Sequence, residues 1–317
     1  MTNAKEIKKR IKSIANTKKI TKAMEMVAAA KMRKSIEAVL RTRTYANLSW
    51  TSVLNISRSI GAGKELHPLL QKRVEIKKAC IILFSSNRGL CGGFNSAIIN
   101  KAVKSIKQHE NIETDFVVVG KKGLSVHRRY GYKIAAEFPK VDICSEVKEV
   151  SAVARLIKDE FLSGQYDKVL LAYTDFVTPA KQLPRVRQIL PIDISLEDEY
   201  LGAVGKSEKL ETKQAYIKEK EEKYLSGEGN RFYFTYEPNP ETVLNNLLPR
   251  LIEVQLFQAL LESNASEHSA RMSAMHQATE AANDLVNELT LYYNKARQAS
   301  ITAEIAEISA GALSLSN

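Results

Sequence analysis

Two helical patterns bracket the chain, and a strand pattern lies between them. Near the start, Ile7, Ile11, Ile14, Met24, Val27, Ala28, Met32, Ile36, Val39 and Leu40 recur at three- and four-residue spacing, with Lys and Arg filling the other faces. No Pro or Gly falls between Ala4 and Ile60, so nothing forces a break, although Asn16–Thr17 marks a soft spot. The spacing predicts a helix about 80 Å long at 1.5 Å per residue. A helix of that length outruns any ordinary domain and must pack on another long helix. The partner is the C-terminal segment 241–317, where Leu247, Leu251, Val254, Phe257, Leu261, Ala265, Met272, Met275, Thr279, Ala282, Leu285, Leu289, Tyr292, Ala296 and Ile305 mark a second seam. Its length exceeds that of the first helix. Pairing as an antiparallel coiled coil therefore leaves a lone helical tip.

The period changes in the middle. Runs at 79–84, 115–120 and 168–173 are near-continuously apolar and read as buried strands, with helical patterns at 93–109, 121–130 and 145–163 between them. Residues 174–192 read as an antiparallel strand pair closing that sheet. Strand–helix alternation of this kind predicts a central Rossmann-like α/β domain. Residues 197–231 are polar, with the mixed-sign run Lys218–Lys223, and read as a solvated insertion. A short β-like segment at 232–236 stops at Glu237–Pro238–Asn239–Pro240. The expected organisation is an N-terminal helix over 1–60, a central domain over 75–240 and a C-terminal helix over 241–317.

Composition narrows the class. The 317 residues carry a formal net charge of +11, and the 44% hydrophobic and 26% charged content is that of an ordinary globular chain. Residues 1–44 hold thirteen basic and three acidic residues, net +10, whereas 244–317 hold four basic and eight acidic, net −4. The basic excess thus reads as a property of the N-terminal helix, opposite a complementary acidic one. Cys80, Cys91 and Cys144 are too few and too scattered for a disulfide scaffold, which fits a reducing, intracellular setting. The start is too charged for a secretory signal, and no run approaches the roughly 20 apolar residues that span a bilayer.

Candidate chemistry is thin. Gly89, Gly92 and Gly93 follow the first strand and open a helix, but their spacing is neither a dinucleotide fingerprint nor a P-loop, which favours a tight structural turn. Cys91 sits in that turn without a matching His–Asn arrangement. His127, His268 and His276 lack partners at ligand spacing and read as surface or packing residues, and Met24, Met26 and Met32 read as core. No cofactor or metal site and no enzyme chemistry emerges. Residues alone leave three readings: a mechanical coiled-coil scaffold, a nucleic-acid binder using the basic helix, and an enzyme whose chemistry is hidden.

Three segments then carry a resemblance. Residues 4–34 (AKEIKKRIKSI…NTKKITKAMEMVAAAKMRK), 86–95 (SNRGLCGGFN) and 264–308 (NASEHSARMSAM…ATEAANDL…LYYNKARQASITAEIAEI) closely resemble the gamma subunits of bacterial F-type ATP synthases, in the right order and at both ends of the chain. The regulatory cysteine pair of chloroplast gamma subunits has no counterpart. The resemblance implies a non-catalytic rotor shaft inside a ring of three alpha and three beta subunits, turned by a c-ring and touching an epsilon subunit. It would lie peripherally on the cytoplasmic face of the inner membrane. It implies that Arg297, Gln298 and Thr302 contact the beta-subunit catch loop, and that Met24 faces the beta lever region. It places Tyr236 and Glu237 at the c-ring foot. Ala310, Ala312, Leu313 and Leu315 become a bearing tip in an apolar sleeve. Nucleic-acid binding is the alternative.

Overall fold

A computed structural model describes residues 4–59, 67–73, 75–107, 112–143, 146–192 and 237–315. The expected insertion at 197–231, the β-like segment 232–236 and Cys144 lie outside these residues. In chain order the elements are α1 (Ala4–Ser59), β1 (Lys78–Phe84), α2 (Phe94–Lys107), β2 (Glu113–Val119), a 3-10 turn (Lys121–Leu124), α3 (Ser125–Tyr130), β3 (Lys133–Phe138), α4 (Lys148–Leu162), β4 (Lys168–Thr178), β5 (Lys181–Leu190) and α5 (Pro240–Leu315). Helix α1 passes through Asn16–Thr17 unbroken, so the expected soft spot is absent. Thr17 there returns its hydroxyl to the Ser13 carbonyl.

The five strands form one sheet in the order β3-β2-β1-β4-β5. The first four are parallel and β5 runs antiparallel to β4. Strand β3 was not legible as a strand: its sequence KIAAEF is half-exposed at an edge and lacks a long apolar run. Handedness decides where the helices go. Moving from β1 to β2 to β3 and then back across to β4, right-handed crossovers put α2 and α3 on one face and α4 on the other. On the first face Ile98, Ile99, Ala102 and Val103 of α2 and Val126 of α3 pack on Ile81, Leu83, Phe116, Val118 and Ala172. On the other, α4 buries Val150, Val153, Ala154, Ile157 and Phe161.

The chain divides into two compact units, Ala29–Ala270 and the pair Met1–Ala28 with Arg271–Asn317. In the second of these, α1 and α5 run in opposite directions and touch through their side chains. Along α1 the buried or half-buried positions step by four and three residues through Ile7, Ile11, Ile14, Lys18, Thr21, Glu25 and Ala28. Along α5 the same steps run through Met275, Thr279, Ala282, Val286, Leu289, Tyr293 and Ala296. The seven-residue repeat corrects the seam expected from sequence. Val27, Leu285 and Tyr292 are exposed because the seven-residue repeat turns Ala28, Val286 and Tyr293 inward instead, and Ile305 is exposed together with the whole stretch 297–309. Of the methionines expected in the core, Met32 is buried, Met24 half-buried and Met26 exposed.

Candidate functional site

The glycine-rich turn after β1 uses its polar groups on itself. Ser86 N–H donates to Asn95 Oδ1 at 2.9 Å and its hydroxyl donates to the Arg88 carbonyl at 2.7 Å. Asn95 Nδ2 in turn donates to Ser86 Oγ and to Cys91 Sγ. Leu90 and Gly92 close the turn with positive φ of 62° and 54°. Beside it, Ser85 Oγ donates to the Gly120 carbonyl at 2.8 Å and accepts the Gly123 N–H at 2.8 Å, joining the ends of β1 and β2. Cys91 is buried under this network, and burial pushes the Cys80 thiol upward, away from a thiolate. The turn is a structural lock.

In a doubly wound sheet, the crevice at the carboxyl ends of the strands is the usual ligand site. Here α5 lies across it. Glu267 Oε2 meets Lys140 Nζ at 2.6 Å, with both side chains buried, and Lys140 also stands over the Phe94 ring. Asn264 Nδ2 donates to the Val141 carbonyl, and His268 Nε2 lies 3.0 Å from the Asp142 carbonyl. Lys31 of α1 pairs with the Asp142 carboxylate at 2.9 Å. Further along, Ser266 Oγ donates to the Thr174 carbonyl and Ser269 Oγ to the Pro179 carbonyl. The segment 264–269 is thus a largely polar buried belt that fastens the helix to the loop after β3, to β4 itself and to the turn after it. Sequence reading placed His268 at a surface or in simple packing and missed the belt. The available signal was a polar run, Glu262–Ser269, broken only by Ala265 and following the largely apolar stretch Val254–Leu261.

In the paired-helix unit, Lys18 Nζ donates to Asn283 Oδ1 at 2.7 Å, Thr279 Oγ1 to Thr21 Oγ1 at 2.8 Å, and His276 Nδ1 lies 3.4 Å from Glu25 Oε1. The hydrogen bond from Lys22 holds the Glu25 carboxyl below its ordinary range. Met24 sits in an apolar stripe, Ile20–Met24–Val27, whose two flanking members are exposed. The other coupling candidates lie elsewhere. Arg297, Gln298 and Thr302 are exposed on α5, with the Thr302 hydroxyl donating to the Gln298 carbonyl at 2.9 Å. They lie roughly 30 Å along the helix from the level of Met24, at 1.5 Å per residue. Ala310, Ala312, Leu313 and Leu315 fall in the last turns of α5. Glu237 is exposed just before α5, and Tyr236 lies outside the described residues. All positions from 297 to 309 are exposed, including Ile301, Ile305 and Ile308.

A family model described as ATP synthase matches residues 3–315. The ATP synthase gamma chain of Dehalococcoides mccartyi is 39% identical over 99% of this chain and 100% of its own length. That of Herpetosiphon aurantiacus is 40% identical over 99% of each, and that of Haemophilus influenzae 37% over 99% and 100%. This chain belongs to the ATP synthase gamma-chain family. Its fold agrees. A chain in the Euglena gracilis mitochondrial ATP synthase structure (OSCP/F1/c-ring, rotational state 3) superposes with a TM-score of 0.63 at 17% identity, over 98% of this chain and 94% of that one. A chain in the central stalk/c-ring structure of the Tetrahymena thermophila enzyme superposes at 0.56 with 23% identity, over 82% and 99%.

Membership in the gamma-chain family leaves the nucleic-acid reading without support. Among the described residues no group of three or more His, Cys, Asp or Glu could hold a metal ion, and no helix is long and apolar enough to cross a membrane.

Proposed function

We propose that this gamma-family chain is the central rotor shaft of an F-type ATP synthase. It transmits c-ring rotation to the catalytic sites of three beta subunits and is not itself catalytic. The observation that carries this reading is the end of α5. Thirteen consecutive positions, 297–309, are exposed on every side of a helix, and Ile301, Ile305 and Ile308 are among them. A helix exposed all round that carries apolar residues is a helix waiting for an enclosing partner. An alpha–beta sleeve supplies one, with Ala310, Ala312, Leu313 and Leu315 at its bearing.

Below the tip, α1 and α5 act as an antiparallel coiled coil, whose stiffness lets torque reach the tip. The central α/β domain serves as the foot, contacting the c-ring through Tyr236 and Glu237 and carrying the epsilon subunit. The N-terminal helix, central domain and C-terminal helix are then the three working parts. The assembly holds the chain peripherally at the cytoplasmic face of the inner membrane. Rotation drives catalysis only through asymmetry. A shaft that pressed equally on three beta subunits would supply no differential binding energy and shift no equilibrium.

Two contact levels follow. At the upper one, Arg297 and Gln298 reach the beta catch loop, with Thr302 one turn further on. Replacing Arg297 and Gln298 by Ala removes one charge-assisted hydrogen bond of about 1.5–3 kcal/mol and one neutral bond of about 1 kcal/mol, so ATP turnover of the assembled complex should fall about tenfold or more. The chain itself stays folded, since both positions are exposed. Turnover equal to wild type in a fully assembled complex would remove the catch assignment. At the lower level, Met24→Lys puts a cation into the Ile20–Met24–Val27 stripe. Proton pumping per ATP should drop further than hydrolysis does, measured in inverted vesicles. An equal fall in both would mean defective assembly instead.

A further inference from the structure

We infer that the outer face formed by α2 and α3 binds anionic phospholipid headgroups directly. Segments 94–107 and 120–136 contain eight Lys and Arg and not one Asp or Glu. Lys101, Lys104 and Lys107 on α2 and Arg128 and Arg129 on α3 are all exposed, as are the two lysines of the 3-10 turn and Lys133. Among the described residues, the carboxylate approach to this set is that of Asp115 to Lys133, at 3.8 Å. The two helices make one surface. They cover the same sheet face over a shared core, and Tyr130 Oη donates to Asn100 Oδ1 across their seam at 2.9 Å. The opposite face differs. Helix α4 carries Lys148, Arg155 and Lys158 against Glu149, Asp159 and Glu160, so its charges cancel.

The composition of the face chooses its occupant. Six of the eight cations are Lys, a residue depleted from protein–protein interfaces, where Arg and aromatics supply the anchors. Tyr130 is the one large apolar residue exposed on α2 or α3 among the described residues. A single-stranded nucleic acid would call for a row of stacking aromatics. Solvated lysines suit a headgroup layer, where each cation near the surface strengthens binding about fivefold and needs no fixed geometry. Such a contact also slides, because it has no register to break.

The test is vesicle co-sedimentation of the full chain at about 0.15 M salt, where the screening length is about 8 Å. Vesicles of phosphatidylglycerol mixed equally with phosphatidylcholine are compared with phosphatidylcholine alone, and a polyglutamate peptide is offered as competitor. Lys101→Glu/Lys104→Glu/Arg129→Glu should weaken binding to the anionic vesicles at least about tenfold. Lys8→Glu/Lys9→Glu/Lys12→Glu, an equal charge change on α1, should weaken it less than about threefold. Neutral Gln at the three α2–α3 positions should give an intermediate loss, with helix content by circular dichroism unchanged. Equal losses from the two triple reversals would overturn the inference by assigning binding to net charge. Tighter retention of polyglutamate than of vesicles would overturn it by assigning the face to an acidic polypeptide.

Discussion

Lys140→Met should lower the unfolding free energy of this chain by about 3–5 kcal/mol, read from urea unfolding of the isolated subunit. The Lys140 and Glu267 side chains are 1% and 5% exposed, and their charged atoms are 2.6 Å apart. Removing the cation leaves a carboxylate in a site from which water is excluded, and that desolvation sets the size of the loss. The double replacement Lys140→Met/Glu267→Leu removes both charges together. It should recover most of the stability, because a buried pair is worth little against an apolar pair of similar volume. The contrast between single and double variants is the signature. A single-variant loss below about 1 kcal/mol would mean that water reaches the pair and that the belt on α5 is looser than its distances imply. The belt concerns transmission as well as stability. Residues 140–142 accept contacts from Asn264, Glu267 and His268 of α5 and from Lys31 of α1. One short loop is therefore tied to both long helices.

Gly120→Ala should cost about 3 kcal/mol or more, through a different mechanism. Gly120 has a φ of 103°, and a Cβ there would stand 2.4 Å from the backbone carbonyl oxygen of Ser85. The obstacle is the backbone at the end of β1, held by the Ser85 N–H bond to the Val119 carbonyl, so no side chain can swing aside. Gly131→Ala is the control. Its φ of 76° is also left-handed, yet nothing lies within 4 Å of the added methyl. Only the conformational term remains, about 1–2 kcal/mol. If both variants cost the same, measured as urea midpoints at equal slope, the close packing of Ser85 on Gly120 is not what holds the two strand ends together.

The sheet was largely legible because buried parallel strands must be apolar throughout. Runs such as Ile81–Phe84 and Phe116–Val119 announce themselves, while the edge strand Lys133–Phe138 obeys no such demand and does not. The long helices were legible from their three- and four-residue spacing, and most of the expected seam is buried or half-buried, but a few positions of it were misplaced. Steps of three and four from Ala282 reach Leu285 and Tyr292 as readily as Val286 and Tyr293, and only the seven-residue phase set by Thr279 selects the second pair. The repeat also brings Lys18, Thr21 and Glu25 inward, which no apolar template would pick. Buried polar residues such as Asn264, Glu267 and His268 share their residue types with exposed ones. Only the partners, more than a hundred residues away in sequence, distinguish them. A near-neutral total outside residues 1–44 concealed a one-signed surface on α2 and α3, because acids elsewhere balance the sum.

The polar contacts between α1 and α5 also fix a length. A seam of leucines repeats itself every seven residues and tolerates a slip of one repeat, about 10 Å. Lys18–Asn283, Thr21–Thr279 and Glu25–His276 do not repeat. After a slip in one direction Lys18 would face His276 instead of an amide, and Glu25 would face Ser269. These three contacts work as the graduation marks of a ruler. They determine how many turns of α5 stand clear of α1, and with them how far the tip reaches.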